Sequence, residues 1–121
     1  MAHLSEREWL VLSALWNNGG VTLGSLTDAL RAETGWSRNT VQTYLTRMEA
    51  KGLVSIDKSS FPHIYRAALD QDVCQARERR SFLHRVYGGA AGDLVAAFLK
   101  ESHISVQERE ELRRLLDEME V

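Results

Sequence analysis

Residues 36–52 hold one helical stretch with two chemically opposed faces. Val41, Leu45 and Met48 recur at i, i+4 and i+7, the spacing of an apolar stripe that has to be buried. The opposite face carries Arg38, Asn39, Gln42, Thr43, Thr46 and Arg47, and no Asp or Glu occurs anywhere in 37–48. Ser37 is placed as the N-cap and Gly52 as the residue that stops the helix. The inner stripe demands packing partners. The outer face presents short polar groups and two guanidiniums.

The flanking segments supply those partners. Ser5 with Glu8 three residues on is a capping box, opening a first helix whose apolar stripe includes Trp9, Leu12, Ala14, Leu15 and Trp16. Asn17-Asn18-Gly19-Gly20 ends it, and residues 21–23 form a short extended link. Thr22 caps a second helix carrying Leu26, Ala29 and Leu30, which Thr34-Gly35 closes. After the third helix, residues 53–57 and 63–67 read as strands around the polar loop 58–62, a β-hairpin. Helix, short strand, helix, turn, helix, hairpin is the order of a winged helix-turn-helix.

Asp70 is placed as the cap of a long fourth helix through about Tyr87, which Gly88-Gly89 break. A fifth helix spans about 90–100. Ser105 and Glu108 make a second capping box for a sixth helix with Leu112, Leu115, Leu116 and Met119. The expected organisation is a mainly α fold: a winged helix-turn-helix domain over 1–69 and a three-helix dimerisation region over 70–121.

Charge follows the same division. The net charge is −2. Residues 1–69 hold seven Lys or Arg against six Asp or Glu, while 70–121 hold eight against eleven. Within 36–66 the balance is five basic to two acidic, so an anion is attracted to one segment and not to the whole surface. Cys74 is the one cysteine, which excludes an intramolecular disulfide framework and suits a reducing cytoplasm. Neither a signal peptide nor a membrane-spanning run is visible, so a cytoplasmic location is expected.

A helix entering the major groove needs the chemistry of the third helix. Arg pairs with guanine, Asn or Gln with adenine, and a Thr methyl meets the thymine methyl. Arg38, Asn39, Thr40 and Thr43, near the N-terminal end, are therefore expected at base edges. Gln42 and Thr46 share their face. Arg47 and Lys51 are expected at phosphates, and Lys58, Ser59 and Ser60 in the wing at the backbone beside the groove.

In the tail, eight of the ten residues 90–99 are apolar, more than three helices can bury among themselves. A second copy of the chain can cover them. Phe82, Leu94, Val95, Phe98, Leu99, Leu112, Leu115 and Leu116 are the expected dimerisation residues, and two linked heads suit a two-fold symmetric site. His3, His63, His84, His103 and Cys74 lack metal-ligand spacing, and no nucleophile motif, phosphate loop or acid pair appears. No enzyme, metal or cofactor is expected. The rival from another class is a dimeric winged-helix adaptor that binds protein without specific DNA binding.

The runs Leu4-Ser-Glu-Arg-Glu-Trp-Leu-Val-Leu-Ser-Ala-Leu-Trp16 and Thr34-Gly-Trp-Ser-Arg-Asn-Thr-Val-Gln-Thr-Tyr-Leu-Thr-Arg-Met-Glu-Ala-Lys-Gly52 together resemble the BlaI/MecI family of penicillinase repressors. The similarity continues through 82–89, 94–98 and 104–116. The resemblance implies a dimeric bacterial repressor of β-lactam resistance or related stress genes, acting on double-stranded, palindromic operator DNA. It implies base approach at Asn39, Thr40 and Thr43 and phosphate approach at Arg47. It also implies a membrane-bound sensor metallopeptidase pathway that ends repression by cutting an Asn–Phe bond in the fifth helix. The matching position here is Ala97-Phe98, where the Phe is present and the Asn is not.

Overall fold

The computed structural model describes residues 3–120. Among these residues the order is α1 (Glu6–Asn18), α2 (Leu23–Thr34), α3 (Arg38–Ala50), β1 (Val54–Asp57), β2 (Ile64–Ala67), α4 (Gln71–Tyr87), α5 (Ala91–Glu101) and α6 (Val106–Glu118). The mainly α, winged-helix class expected from the sequence is the one observed.

Local chemistry sets most boundaries. The Ser5 hydroxyl accepts from the Glu8 N–H at 3.1 Å, and the Ser5 N–H donates to the Glu8 carboxylate at 2.9 Å, completing the capping box of α1. Thr22 and Ser37 cap α2 and α3 by the side-chain half of that pattern alone, accepting from the N–H groups of Ser25 and Thr40. At the far end of α3 the Gly52 N–H reaches the Glu49 carbonyl and the Leu53 N–H reaches that of Met48. That crossed pair is a Schellman motif, and it requires the positive φ of 78° that Gly52 adopts.

Two compact units form, residues 1–78 and 79–121. The first is built on Val11, Leu12 and Leu15 of α1, Leu26 and Leu30 of α2, and Val41, Leu45 and Met48 of α3. Leu53, Val54 and Tyr65 close it from the hairpin. Each fully buried aliphatic side chain here contributes on the order of 1.5–3 kcal/mol relative to exposure. Strands β1 and β2 pair antiparallel with Val54 opposite Ala67 and Asp57 opposite Ile64. Val21, in the link before α2, adds an antiparallel bridge to Tyr65, with N–H···O distances of 3.0 and 2.7 Å. The Trp16 indole N–H donates to the Leu69 carbonyl at 3.0 Å and ties the chain leaving the hairpin back to α1.

Two details differ from expectation. Ala29 faces solvent; the buried stripe of α2 is Leu26, Thr27 and Leu30, and Ala29 lies more than a quarter-turn from its centre. Thr27 tolerates burial because its hydroxyl donates to the Leu23 carbonyl at 2.8 Å. The first unit also runs past residue 69 into the first two turns of α4, since Cys74 is buried in the winged-helix core.

The second unit is different in kind. None of its described residues is fully buried. Leu94, Ala97 and Leu112 are half-covered, whereas Val95, Phe98, Leu99, Leu115, Leu116 and Met119 are exposed. Gly88 and Gly89, both at positive φ, separate α4 from α5. Ser105 and Glu108 form the second capping box.

Candidate nucleic-acid interface

Helix α3 is pinned by its buried stripe, so its opposite side has to face outward. Arg38, Asn39, Gln42, Thr43, Thr46 and Arg47 are exposed on it. Thr40 is half-buried, and its hydroxyl lies 3.1 Å from that of Ser37, the cap. Thr43 turns its hydroxyl back to the Asn39 carbonyl at 2.9 Å, which leaves its methyl outward for an apolar contact. The stretch therefore offers solvent amide, methyl and guanidinium groups, and no carboxylate before Glu49.

The cations divide into two sets. Lys51 is committed: its ammonium lies 2.9 Å from the Glu8 carboxylate, a bond reaching across 43 positions of sequence. Glu8 is almost fully buried. Burial pushes its carboxyl up, but the Ser5 N–H, the Lys51 ammonium and the Ser5 hydroxyl more than offset that, and the net shift is downward. Lys58 in the wing lies 3.8 Å from Glu49, and Arg31 pairs with Asp28 at 2.9 Å. By contrast, Arg7, Arg38 and Arg47 have no carboxylate within ion-pairing distance among the described residues.

Arg38 has a particular seat. A Cβ at Gly24 would fall 2.9 Å from its Nη2, so the guanidinium rests where α2 lacks a side chain. It borders an open groove of about 480 Å³ with Thr27, Asp28, Arg31, Trp36 and Ser37. This places its charge at the flank of α3, beside the start of α2.

In the wing, Ser59 is occupied locally: its N–H and hydroxyl both reach Asp57 Oδ1, at 2.9 and 2.6 Å. Those two bonds hold the Asp57 carboxyl below its ordinary range. Ser60 is exposed, and so is Phe61 at the tip. Lys51, Lys58 and Ser59 thus all have protein partners, whereas Arg47 points outward unpaired.

Two residues of this surface went unnoticed in the sequence. Tyr44 stacks on Trp36 with ring centroids 4.7 Å apart and planes 17° from parallel. Its phenol oxygen accepts from Arg7 Nη1 at 2.9 Å. Nothing local signals that contact, because Arg7 and Tyr44 stand 37 positions apart and meet only in the folded first unit.

A family model described as the penicillinase repressor matches residues 4–118. The chain belongs to the penicillinase repressor family. Methicillin resistance regulatory protein MecI of Staphylococcus aureus (strain N315) is 25% identical over 114 residues, 94% of this chain and 93% of the relative. The penicillinase repressor of Bacillus licheniformis is 28% identical over 115 residues, 95% of this chain and 90% of the relative. Among solved structures, the DNA-binding domain of the repressor BlaI matches with a TM-score of 0.51 at 25% identity, covering 57% of this chain and 84% of that one. The B. licheniformis BlaI monomer in complex with the blaP half-operator matches at 0.52 and 24% identity, covering 59% and 87%.

One of these relatives is a regulatory protein of methicillin resistance and the other a penicillinase repressor; neither is described as an enzyme. As a penicillinase repressor family member the chain is a transcriptional repressor with a winged-helix DNA-binding head, the class anticipated by the outer face of α3. No helix among the described residues is long and apolar enough to cross a membrane.

Proposed function

We propose that this repressor binds a palindromic operator as a homodimer, with α3 of each copy in the major groove of one half-site, and so blocks a promoter. The observation that carries the reading is the acid-free outer face of α3. Asn39 and Thr43 stand exposed near its N-terminal half, and Arg47 stands unpaired beyond them. Asn39, Thr40, Gln42, Thr43 and Thr46 are assigned to the base side. Arg38 and Arg47 are assigned to phosphates at the two flanks, a change for Arg38 that follows from its seat over Gly24. Lys51 and Lys58 act mainly through Glu8 and Glu49, orienting α3 and the wing.

Dimerisation rests on the tail. A 43-residue unit whose described residues include none fully buried lacks a core of its own. The exposed residues Val95, Phe98 and Leu99 of α5 and Leu115 and Leu116 of α6 form apolar stripes that a second copy covers. Phe82, Leu94 and Leu112, half-covered already, complete that surface. Relief of repression through a sensor metallopeptidase pathway is the family's mode. The position on this chain that corresponds to the family's cut is the Ala97-Phe98 bond inside α5, where the Phe is present and the family's Asn is not.

The deciding experiment is a binding titration on DNA upstream of its own operon across a range of salt. Tight, sequence-selective binding whose affinity falls steeply with salt is expected. Dimers that ignore DNA but capture a protein would establish the adaptor reading instead.

A further inference from the structure

We propose that Arg7 of α1 and the Tyr44 phenol of α3 form, together with Arg47, a phosphodiester-binding site. It extends the DNA interface beyond the recognition helix onto the first helix of the fold. The inference rests on the operator-binding reading above and names a part of the surface which that reading does not use.

The geometry is specific. Arg7 Nη1 donates to Tyr44 Oη at 2.9 Å. The phenol therefore accepts from a cation, and its own proton has no acceptor among the described residues. A phenol polarised in this way is a stronger donor towards an anion. Its direction is fixed by the stack on Trp36, which leaves the ring little freedom. Arg7 spends one N–H on the phenol and keeps the others; no carboxylate lies within ion-pairing distance of it. Arg47 stands three residues beyond Tyr44, and side chains so spaced are neighbours on a helix surface. The local set is thus two guanidiniums, which can only donate, and one hydroxyl whose proton is free to donate.

Such a set suits a group with two acceptor oxygens that share one negative charge and carry no proton. A backbone phosphodiester is that group, and Arg and Tyr side chains are among its usual partners. The position fits as well. Tyr44 and Arg47 lie to one side of the outward face of α3, where a helix seated in the major groove passes the sugar-phosphate rim. Of the other basic side chains near that end of α3, Lys51 is hydrogen-bonded to Glu8 and Lys58 stands 3.8 Å from Glu49, so each already faces a carboxylate, as Arg7 and Arg47 do not.

The test uses the full chain and its operator. Affinities are measured for the unaltered protein, Arg7→Gln, Arg7→Lys, Tyr44→Phe and Arg47→Ala between about 50 and 200 mM salt. Arg7→Gln is expected to lower the slope of log affinity against log salt by about 0.9, the loss of one neutralised phosphate. Arg7→Lys is expected to keep that slope. Tyr44→Phe is expected to weaken binding about five- to tenfold, equally on operator and on single-base variants, with little change of slope. Thermal midpoints are read alongside. A bond that only braces α1 on α3 would lower the midpoint of Arg7→Gln and leave its salt slope untouched, and that result overturns the proposal. If Arg47→Ala shifts the slope while Arg7→Gln and Tyr44→Phe bind as the unaltered chain does, the site on α1 is refuted and the role of α3 stands. An unaltered chain without salt-dependent binding refutes the operator reading itself.

Discussion

The Glu8 carboxylate joins the start of α1 to the end of α3. One oxygen takes the Ser5 N–H and completes a helix cap, while the other takes the Lys51 ammonium at 2.9 Å. A local folding device thus also ties the end of α3 to the start of α1. The ammonium is more than half exposed, so water screens part of the attraction; the carboxylate is not.

A pH dependence follows from this pair. Glu8 has a folded-state pKa below its ordinary value of 4.5, so the unfolded chain binds that proton more tightly. Its stabilising contribution is complete above about pH 4.5 and is lost as pH falls through the lower, folded-state value. Glu8→Gln is expected to destabilise the chain at neutral pH by about 1–2 kcal/mol in urea titrations, with the difference shrinking in acid. Lys51→Met is expected to raise the Glu8 pKa, because burial then acts with one offset fewer. An undiminished Glu8→Gln difference at low pH would show that charge is not what Glu8 contributes.

On DNA, Arg47 and Lys51 are expected to behave differently although both are basic and lie one turn apart. Arg47→Ala is expected to weaken every sequence alike and lower the salt slope by about 0.9. Lys51→Ala is expected to change the slope less and the unfolding midpoint more, since its charge is already spent on Glu8. Asn39→Ala and Thr43→Ala are expected to relax discrimination at particular base pairs by about 1–3 kcal/mol each. Titrations against single-base operator variants check all four. Equal slopes for the two basic mutants would put Lys51 on phosphate after all.

What could be read in the sequence was whatever a few neighbouring residues decide. The caps at Ser5, Thr22, Ser37 and Ser105 and the stop at Gly52 are local, and each is where spacing put it. The stripe of Val41, Leu45 and Met48 was legible because three positions suffice to define a face. The commitment of Lys51 to Glu8 and the meeting of Arg7 with Tyr44 were not. Those pairs form only when the folded first unit brings α1 and α3 within side-chain reach, which no window of sequence contains. Ala29 was misplaced because hydrophobicity alone does not tell a small apolar residue from a threonine able to satisfy its own hydroxyl.

Cys74 makes a prediction about the boundary of the head. It is buried in the winged-helix core, and burial raises its thiol pKa. A fragment ending at residue 69 removes that side chain and uncovers its neighbours, whereas one ending at 78 keeps it. The longer fragment is expected to be the more stable, and both are expected to be monomers by light scattering while the full chain is a dimer. A full chain that stays monomeric at micromolar concentration would leave the apolar faces of α5 and α6 without their proposed partner.

The last prediction concerns release. The Ala97-Phe98 bond lies inside α5, with Ala97 half-covered and Phe98 exposed in the single chain. In the proposed dimer Phe98 is covered as well. A protease needs the backbone extended, so a cut requires α5 to open locally, and Gly88-Gly89 and Gly92 offer the hinges for it. Once cut, the chain loses the end of α5 and all of α6, and with them apolar surface that contributes roughly 25 cal/mol per Å² when buried. Each head then holds its half-site alone, without the gain in effective concentration that the linked pair enjoys. A cut anywhere in residues 90–99 is therefore expected to end repression, and inserting a foreign protease site there tests this directly. Recognition of the natural bond is a separate matter, because Ala97 stands where the family's cut pair has Asn. Ala97→Asn is expected to be cleaved more readily by a family sensor system than the unaltered chain, in a side-by-side time course. Equal cleavage of the two would show that the asparagine is not what the protease reads.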